Sequence, residues 1–336
     1  MKYLKQITLT ALASLALWSP NVSAQTPAVP TPAELAKALG FSDAEVAQIE
    51  SGEIVSKDLK EVSDKELAGV VAVFFKKPVN ELVEIAMQGK MLESDKKTQA
   101  FHTWKPDAST DEAFADLGLA ATEIDEAKLF ARASAGQKLN LSAAEIKQFG
   151  KVTGSPAAVS VQLQTMLKAR YEAYRKSGLN GIAPYARSSS KTASPSHELM
   201  LAIKATMTAA PRQDFFQGLL DYPAKPLPDV EHRYFWFKQE VEGRPTFILA
   251  HRANRQTANA ALLTEEQFYV GHSYNSNLIV SGALQVAGGT VVFYVNRTFT
   301  DQVAGFGSSL KHSIGRGQML SAVADNLKRI RDQMQK

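Results

Sequence analysis

The most regular pattern of apolar positions lies near the C-terminus. Leu320, Val323, Leu327, Ile330 and Met334 recur at spacings of 3, 4, 3 and 4, which places them on one stripe of a long helix. Lys328, Arg329 and Arg331 fall off that stripe. The pattern predicts a helix packed on a sheet, with a membrane-surface helix as the alternative.

A different period occupies the preceding hundred residues. Arg233 to Val241 is aromatic and strand-like, and Glu242-Gly243 marks a turn. Thr246 to Arg252, Gln267 to His272, Asn277 to Val286 and Thr290 to Thr298 read as four further strands, the last two joined by a tight hairpin at Ala287-Gly288-Gly289. Short connections predict an antiparallel meander. One more strand stands far upstream. Leu67 to Phe75 is apolar and rich in β-branched residues, as a strand buried on both faces requires, and Gly52 to Ser56 could pair beside it.

Helical signals fill the remainder. Thr31-Pro32 is an N-cap with proline at the first helical position. Ser42 with Glu45, and Ser142 with Glu145, form capping boxes. Asn80 to Gln88 follows the apolar strand as a helix. Ala100 to Trp104 suggests a short strand, and Glu112 to Leu117 and Glu123 to Ala133 suggest helices. Ser155-Pro156 opens a long helix with Val159, Leu163, Met166, Arg170 and Tyr174 on one face, closed by Gly178. Arg187 to Ser196 reads as a Ser-rich loop, and Pro195 and Pro211 each begin another helix.

The first 24 residues carry a separate message. Lys2 and Lys5 precede an uncharged apolar run from Ile7 to Trp18, too short to span a bilayer, and Val22-Ser23-Ala24 supplies the small residues of a cleavage site. We read an export signal cleaved after Ala24, which predicts a periplasmic or secreted protein. An N-terminal segment over 25–50 then leads into an α+β domain over 51–336, with a helical insertion at about 105–220.

Composition narrows the function classes. The net charge of +4 falls to about +2 once Lys2 and Lys5 are removed, and no clustered basic face suggests nucleic acid. The chain contains no cysteine, which excludes disulfides, thiolate metal sites and Cys nucleophiles. No His-x-His or His-x-x-x-His pair occurs among His102, His197, His232, His251, His272 and His312, so the sequence implies neither a metal nor another cofactor. Oligomeric state is not legible.

The order of strand, helix, helical block, antiparallel strands and long last helix resembles a START-like helix-grip fold, and Val70 to Pro78 looks like the opening of such domains. The expected class is therefore α+β, an antiparallel sheet with a long C-terminal helix and a large helical insertion. Phe268 to Tyr274, Phe293 to Thr298 and Gly305 to Lys311 also resemble an uncharacterised family of exported bacterial proteins. Members of that family often carry a cysteine pair before the segment matching Leu141 to Phe149, and this chain lacks it. No activity comes with that resemblance.

Candidate chemistry gathers on the meander. Side chains at i and i+2 share a face of a strand, so Tyr294 and Asn296 share one face and Phe293, Val295 and Arg297 the other. His272, Tyr274, Asn296 and Arg297 could converge on a polar or anionic head group, with hydrogen-bonded structural roles as the alternative. Tyr234 and Trp236 share one face of an aromatic strand and are further ligand candidates. Ser188-x-x-Lys191, Ser308-x-x-Lys311 and Ser273-Tyr274-Asn275 echo serine-enzyme motifs, but no Lys-Thr-Gly follows and no Gly-x-Ser-x-Gly elbow exists. The leading expectation is a carrier for a hydrophobic, lipid-like or amphipathic small molecule held between sheet and last helix. An exported enzyme with a His/Tyr/Arg acid–base site and a non-catalytic envelope-assembly protein are the alternatives.

Overall fold

The computed structural model describes residues 30–209, 212–305 and 307–334; the export-signal reading at residues 1–24 lies outside them. The capping signals of the sequence set the first two helices. In α1 (Pro32–Ala38) and α2 (Asp43–Glu50) the Thr31 and Ser42 hydroxyls each accept from the third helical amide, and Glu34 and Glu45 return to the cap. β1 (Val55–Asp58) then pairs antiparallel with β2 (Glu66–Phe75). Every β2 residue except Phe74 is buried, as expected for an unbroken apolar run inside a sheet.

Next come α3 (Val79–Met87), α4 (Lys90–Glu93) and β3 (Thr98–Trp104). A helical block follows, made of α5 (Thr110–Phe114), α6 (Ile124–Ala131), α7 (Ala143–Phe149), α8 (Pro156–Ser177), α9 (Pro195–Ala209) and α10 (Gln213–Leu220). Within it, the short strands β4 (Tyr185–Ala186) and β5 (Thr192–Ala193) pair across the Ser-rich segment. Ser188 and Lys191 belong to that turn, where the Lys191 amide donates to Ser188 Oγ at 3.1 Å.

The meander consists of β6 (Glu231–Val241), β7 (Arg244–Gln256), β8 (Ala260–Val270), β9 (Ser276–Val286) and β10 (Gly289–Phe299), and α11 (Ser308–Met334) ends the described chain. One antiparallel sheet of eight strands results, in the order β1-β2-β10-β9-β8-β7-β6-β3. β10 returns beside β2, with Val292 opposite Val73, and β3 closes the far edge beside β6.

The sheet is covered on both faces. On one, α11 and α3 pack over Val71, Val73 and Phe75, with Leu320, Leu327 and Ile330 buried in the contact and Val323 and Met334 partly buried beside them. The helical stripe read from the sequence is therefore the face that meets the sheet. Gly69 marks the closest approach, because a Cβ there would lie 2.5 Å from Leu320 Cδ2. On the other face, α8, α9 and α10 bury a large core that includes Leu163, Leu167, Phe215, Phe216, Tyr234 and Trp236.

β8 departs furthest from its expected limits; β1 and β7 also run past theirs, to Asp58 and Gln256. β8 begins at Ala260 and ends at Val270, whereas the apolar pattern suggests residues 267–272. Glu265 and Glu266 interrupt that pattern, yet both are buried and hydrogen-bonded, one on each side of the sheet. A bulge follows, since Leu249 opposes Tyr269 while Ala250 opposes Gln267. The extra residue, Phe268, sends both Phe268 and Tyr269 into the core under the helical block.

Candidate functional site

A cavity of about 260 Å³ lies between the sheet and the helices α3, α4 and α11. Its helical walls are mainly apolar, built by Leu82, Val83, Met91, Val323, Leu327 and Ile330, with Asn326 of α11 as a polar member. The sheet supplies a polar floor, because alternate residues of β7 to β10 point the same way. Arg252 comes from β7, Glu265 and Gln267 from β8, Asn277 from β9, and Tyr294 and Asn296 from β10. Tyr274, in the β8–β9 connection, closes one end.

These polar groups form an ordered chain. Tyr274 Oη donates to Gln267 Oε1 at 2.8 Å, Gln267 Nε2 donates to Glu265 Oε1 at 2.8 Å, and Arg252 Nε donates to Glu265 Oε2 at 2.6 Å. The Arg252 guanidinium lies 4.0 Å from the centre of the Phe235 ring and also donates to the Ala86 carbonyl. Arg252 and Glu265 are both buried, and such a pair is tolerated because the two charges face each other and both Glu265 oxygens accept hydrogen bonds. Burial, and then the Glu265 charge, push the hydroxyls of Tyr274 and Tyr294 well above the ordinary tyrosine range. Both remain protonated donors at neutral pH.

The residues singled out from the sequence divide between three places. Tyr274 and Asn296 line the cavity. His272 does not; it is buried, with Nε2 2.6 Å from Thr246 Oγ1 and Nδ1 2.7 Å from Ser273 Oγ. Burial, reinforced by the Arg244 charge, lowers its pKa to about 4. Ser273 in turn donates to Glu242 at 2.7 Å. Arg297 lies on the opposite face of β10 from Asn296, where Nη1 donates to buried Glu66 Oε1 at 2.7 Å.

Tyr234 and Trp236 also face away from the cavity, under the helical block, and Trp236 Nε1 donates to the Ala113 carbonyl at 2.6 Å. The alternation of β6 instead gives Phe237 and Gln239 to the cavity. Five floor residues, Arg252, Glu265, Gln267, Asn277 and Tyr294, are absent from the sequence-based candidate set. The alternation of Glu265 and Gln267 was the available signal, but it is visible only once that segment is known to be a strand.

A second polar assembly sits on the helical face. Tyr174 Oη donates to Glu266 Oε2 at 2.9 Å and lies 2.7 Å from His251 Nδ1, while His251 Nε2 lies 2.9 Å from His232 Nδ1. Burial raises the Glu266 pKa to about 7, an effect the Tyr174 hydrogen bond partly offsets, and burial lowers the His251 and His232 values. The same face holds a smaller apolar pocket of about 120 Å³ between α1, α10 and the sheet, lined by Leu35, Leu39, Phe216, Leu262, Val280 and Phe293.

Among the described residues no helix is long and apolar enough to cross a membrane. Comparison with known proteins finds no matching family model, no matching curated relative and no matching solved structure. The class that fold and site define is therefore an α+β protein with a large antiparallel sheet, a long C-terminal helix and a partly polar cavity between them.

Proposed function

We propose that this protein is an exported carrier that holds a hydrophobic or amphipathic small molecule between its sheet and its C-terminal helix. The observation that carries this reading is the cavity of about 260 Å³, with mainly apolar helical walls and a polar floor. Small-molecule sites are commonly concave, mostly apolar and furnished with a few convergent polar groups. The strand order supports it as well. From β2 through β10, β9, β8, β7 and β6 to β3, with two helices after the first of these strands and a long last helix across the sheet, the arrangement is similar in pattern to START-like helix-grip domains. That likeness is one of architecture, and the functional reading rests on the cavity.

The acid–base alternative draws less support. An enzyme of that kind would place His272 in the pocket within reach of a carboxylate, and His272 instead bonds Thr246 and Ser273 outside the cavity lining. The carrier reading is tested by purifying residues 25–336 from the periplasm, followed by native mass spectrometry and solvent extraction. A stoichiometric bound lipid or isoprenoid supports it. A clean apo mass together with no uptake of added amphiphiles overturns it.

A further inference from the structure

The carrier reading leaves open what kind of head group the polar floor accepts. Four ionic groups bear on that question. Arg252 and Glu265 neutralise each other at 2.6 Å. Asp95, at the cavity edge, accepts from Gln239 and lies 3.8 Å from Arg329 Nη2. The cavity therefore holds no cation free to meet an anionic ligand and no carboxylate free to meet a cationic one. Bringing a further charge into such a site without a partner is unfavourable.

Neutral hydrogen-bonding groups, by contrast, are available. The Tyr294 hydroxyl, the Ser281 hydroxyl and the side-chain amide nitrogens of Asn277 and Asn296 line the cavity and donate no hydrogen bond among the described residues. Thr298 Oγ1 lies 3.1 Å from the Asn277 carbonyl oxygen and 3.5 Å from that of Asn296, and its single proton serves one of them at a time; each amide's NH2 stays open. Donors without partners on this floor select for an acceptor.

Resting on the carrier reading, we propose that the cavity selects amphiphiles with an uncharged, hydrogen-bond-accepting head, such as an alcohol, ketone or ester, and rejects carboxylates and amines of the same chain length. The floor of Tyr294, Asn277 and Asn296 binds the head, and the wall of Leu82, Val323 and Leu327 covers the chain. Glu265 is the specificity-determining residue. By neutralising Arg252 it withholds the only cation among the lining residues from an anionic ligand.

The test uses the delipidated full chain at pH 7.5, titrated calorimetrically with four probes of one chain length: decan-1-ol, decan-2-one, decanoate and decylamine. The alcohol and ketone are expected to bind at least about tenfold more tightly than decanoate or decylamine. In Glu265→Gln, which keeps the shape and frees the Arg252 charge, decanoate should gain at least about tenfold relative to decan-1-ol. Should Glu265→Gln fail to fold, Asn296→Leu serves in its place and should weaken decan-1-ol binding by about tenfold with an unchanged melting temperature. Decanoate or decylamine binding as tightly as the alcohol would overturn the head-group assignment and leave the carrier reading standing. An unchanged decanoate affinity relative to decan-1-ol in a folded Glu265→Gln would likewise overturn it. Binding of none of the four overturns the carrier reading, and this inference with it.

Discussion

Glu266 offers a quantitative check on the helical face of the sheet. It is buried on β8, and among the described residues its carboxylate accepts one side-chain hydrogen bond, the 2.9 Å donation from Tyr174. Burial raises its pKa from the ordinary 4.5 to about 7. The folded state therefore binds more protons than the unfolded state between pH 4.5 and 7, and stability falls as pH rises through that window. At about 1.4 kcal/mol per pH unit, the deficit reaches about 3 kcal/mol and stays constant above pH 7.

His251 and His232 act in the opposite sense. Their values are lowered by burial, so they contribute stability that grows with pH up to about 6.5. Glu198, also raised to about 7 by burial, adds a loss like that of Glu266. The wild-type profile alone would mix these effects, but the difference between wild type and Glu266→Gln isolates one. Gln keeps an acceptor for Tyr174 and cannot ionise. Measured by urea unfolding from pH 5 to pH 8, the variant should gain about 3 kcal/mol relative to wild type, which is about 5 °C in Tm for a chain of this size. The gain should appear between pH 5 and 7 and level off above it. A difference that is flat from pH 5 to 8 would refute the reasoning, because it would mean that Glu266 ionises alike in folded and unfolded chains.

Other regions yield checks of their own. Gly69→Ala places a Cβ 2.5 Å from Leu320 Cδ2 and should cost about 1–3 kcal/mol in urea unfolding. Combining it with Leu320→Ala should give less than the sum of the two single losses, and strict additivity would show that α11 does not bear on β2 at this point. Arg297→Leu leaves Glu66 buried without its 2.7 Å partner and should cost about 3–5 kcal/mol. Because Arg297 faces away from the cavity, decan-1-ol affinity should not change, and a folded Arg297→Leu that lost binding would place this residue in the site after all. N-terminal sequencing of the periplasmic fraction should begin at Gln25; a mature chain that retained residues 1–24 would refute the cleavage reading.

Much of the element order was legible because local rules carried it. The capping boxes at Ser42 and Ser142 fix helix starts through hydrogen bonds three residues away. The 3–4 stripe of α11 and the alternation of β10 each name a buried face from the sequence alone. The candidate site was only half legible. Alternation correctly separates Asn296 from Arg297, but it does not say which side of the sheet holds the cavity. Tyr234 and Trp236 on one side of β6 and Phe235 and Phe237 on the other are equally bulky, and either pair would suit a ligand wall. His272 has the chemistry of a functional residue, yet its partners, Thr246 and Ser273, come together only through the register of β7 and the left-handed turn at Ser273, whose φ is 70°.

The sequence by itself determined the class: an apolar strand, a helical block, an antiparallel meander and an amphipathic last helix, all set by interactions within a few residues. The tertiary structure alone decided where the polar floor lies. Glu265 and Glu266 are neighbours in the chain, but the strand sends one to the cavity beside Arg252 and the other to the helical face beside Tyr174. A buried carboxylate is tolerable only where a distant residue neutralises it or hydrogen-bonds to it. Those partners, 13 and 92 residues away, become neighbours only when β8 pairs with β7 and the helical block closes over the sheet.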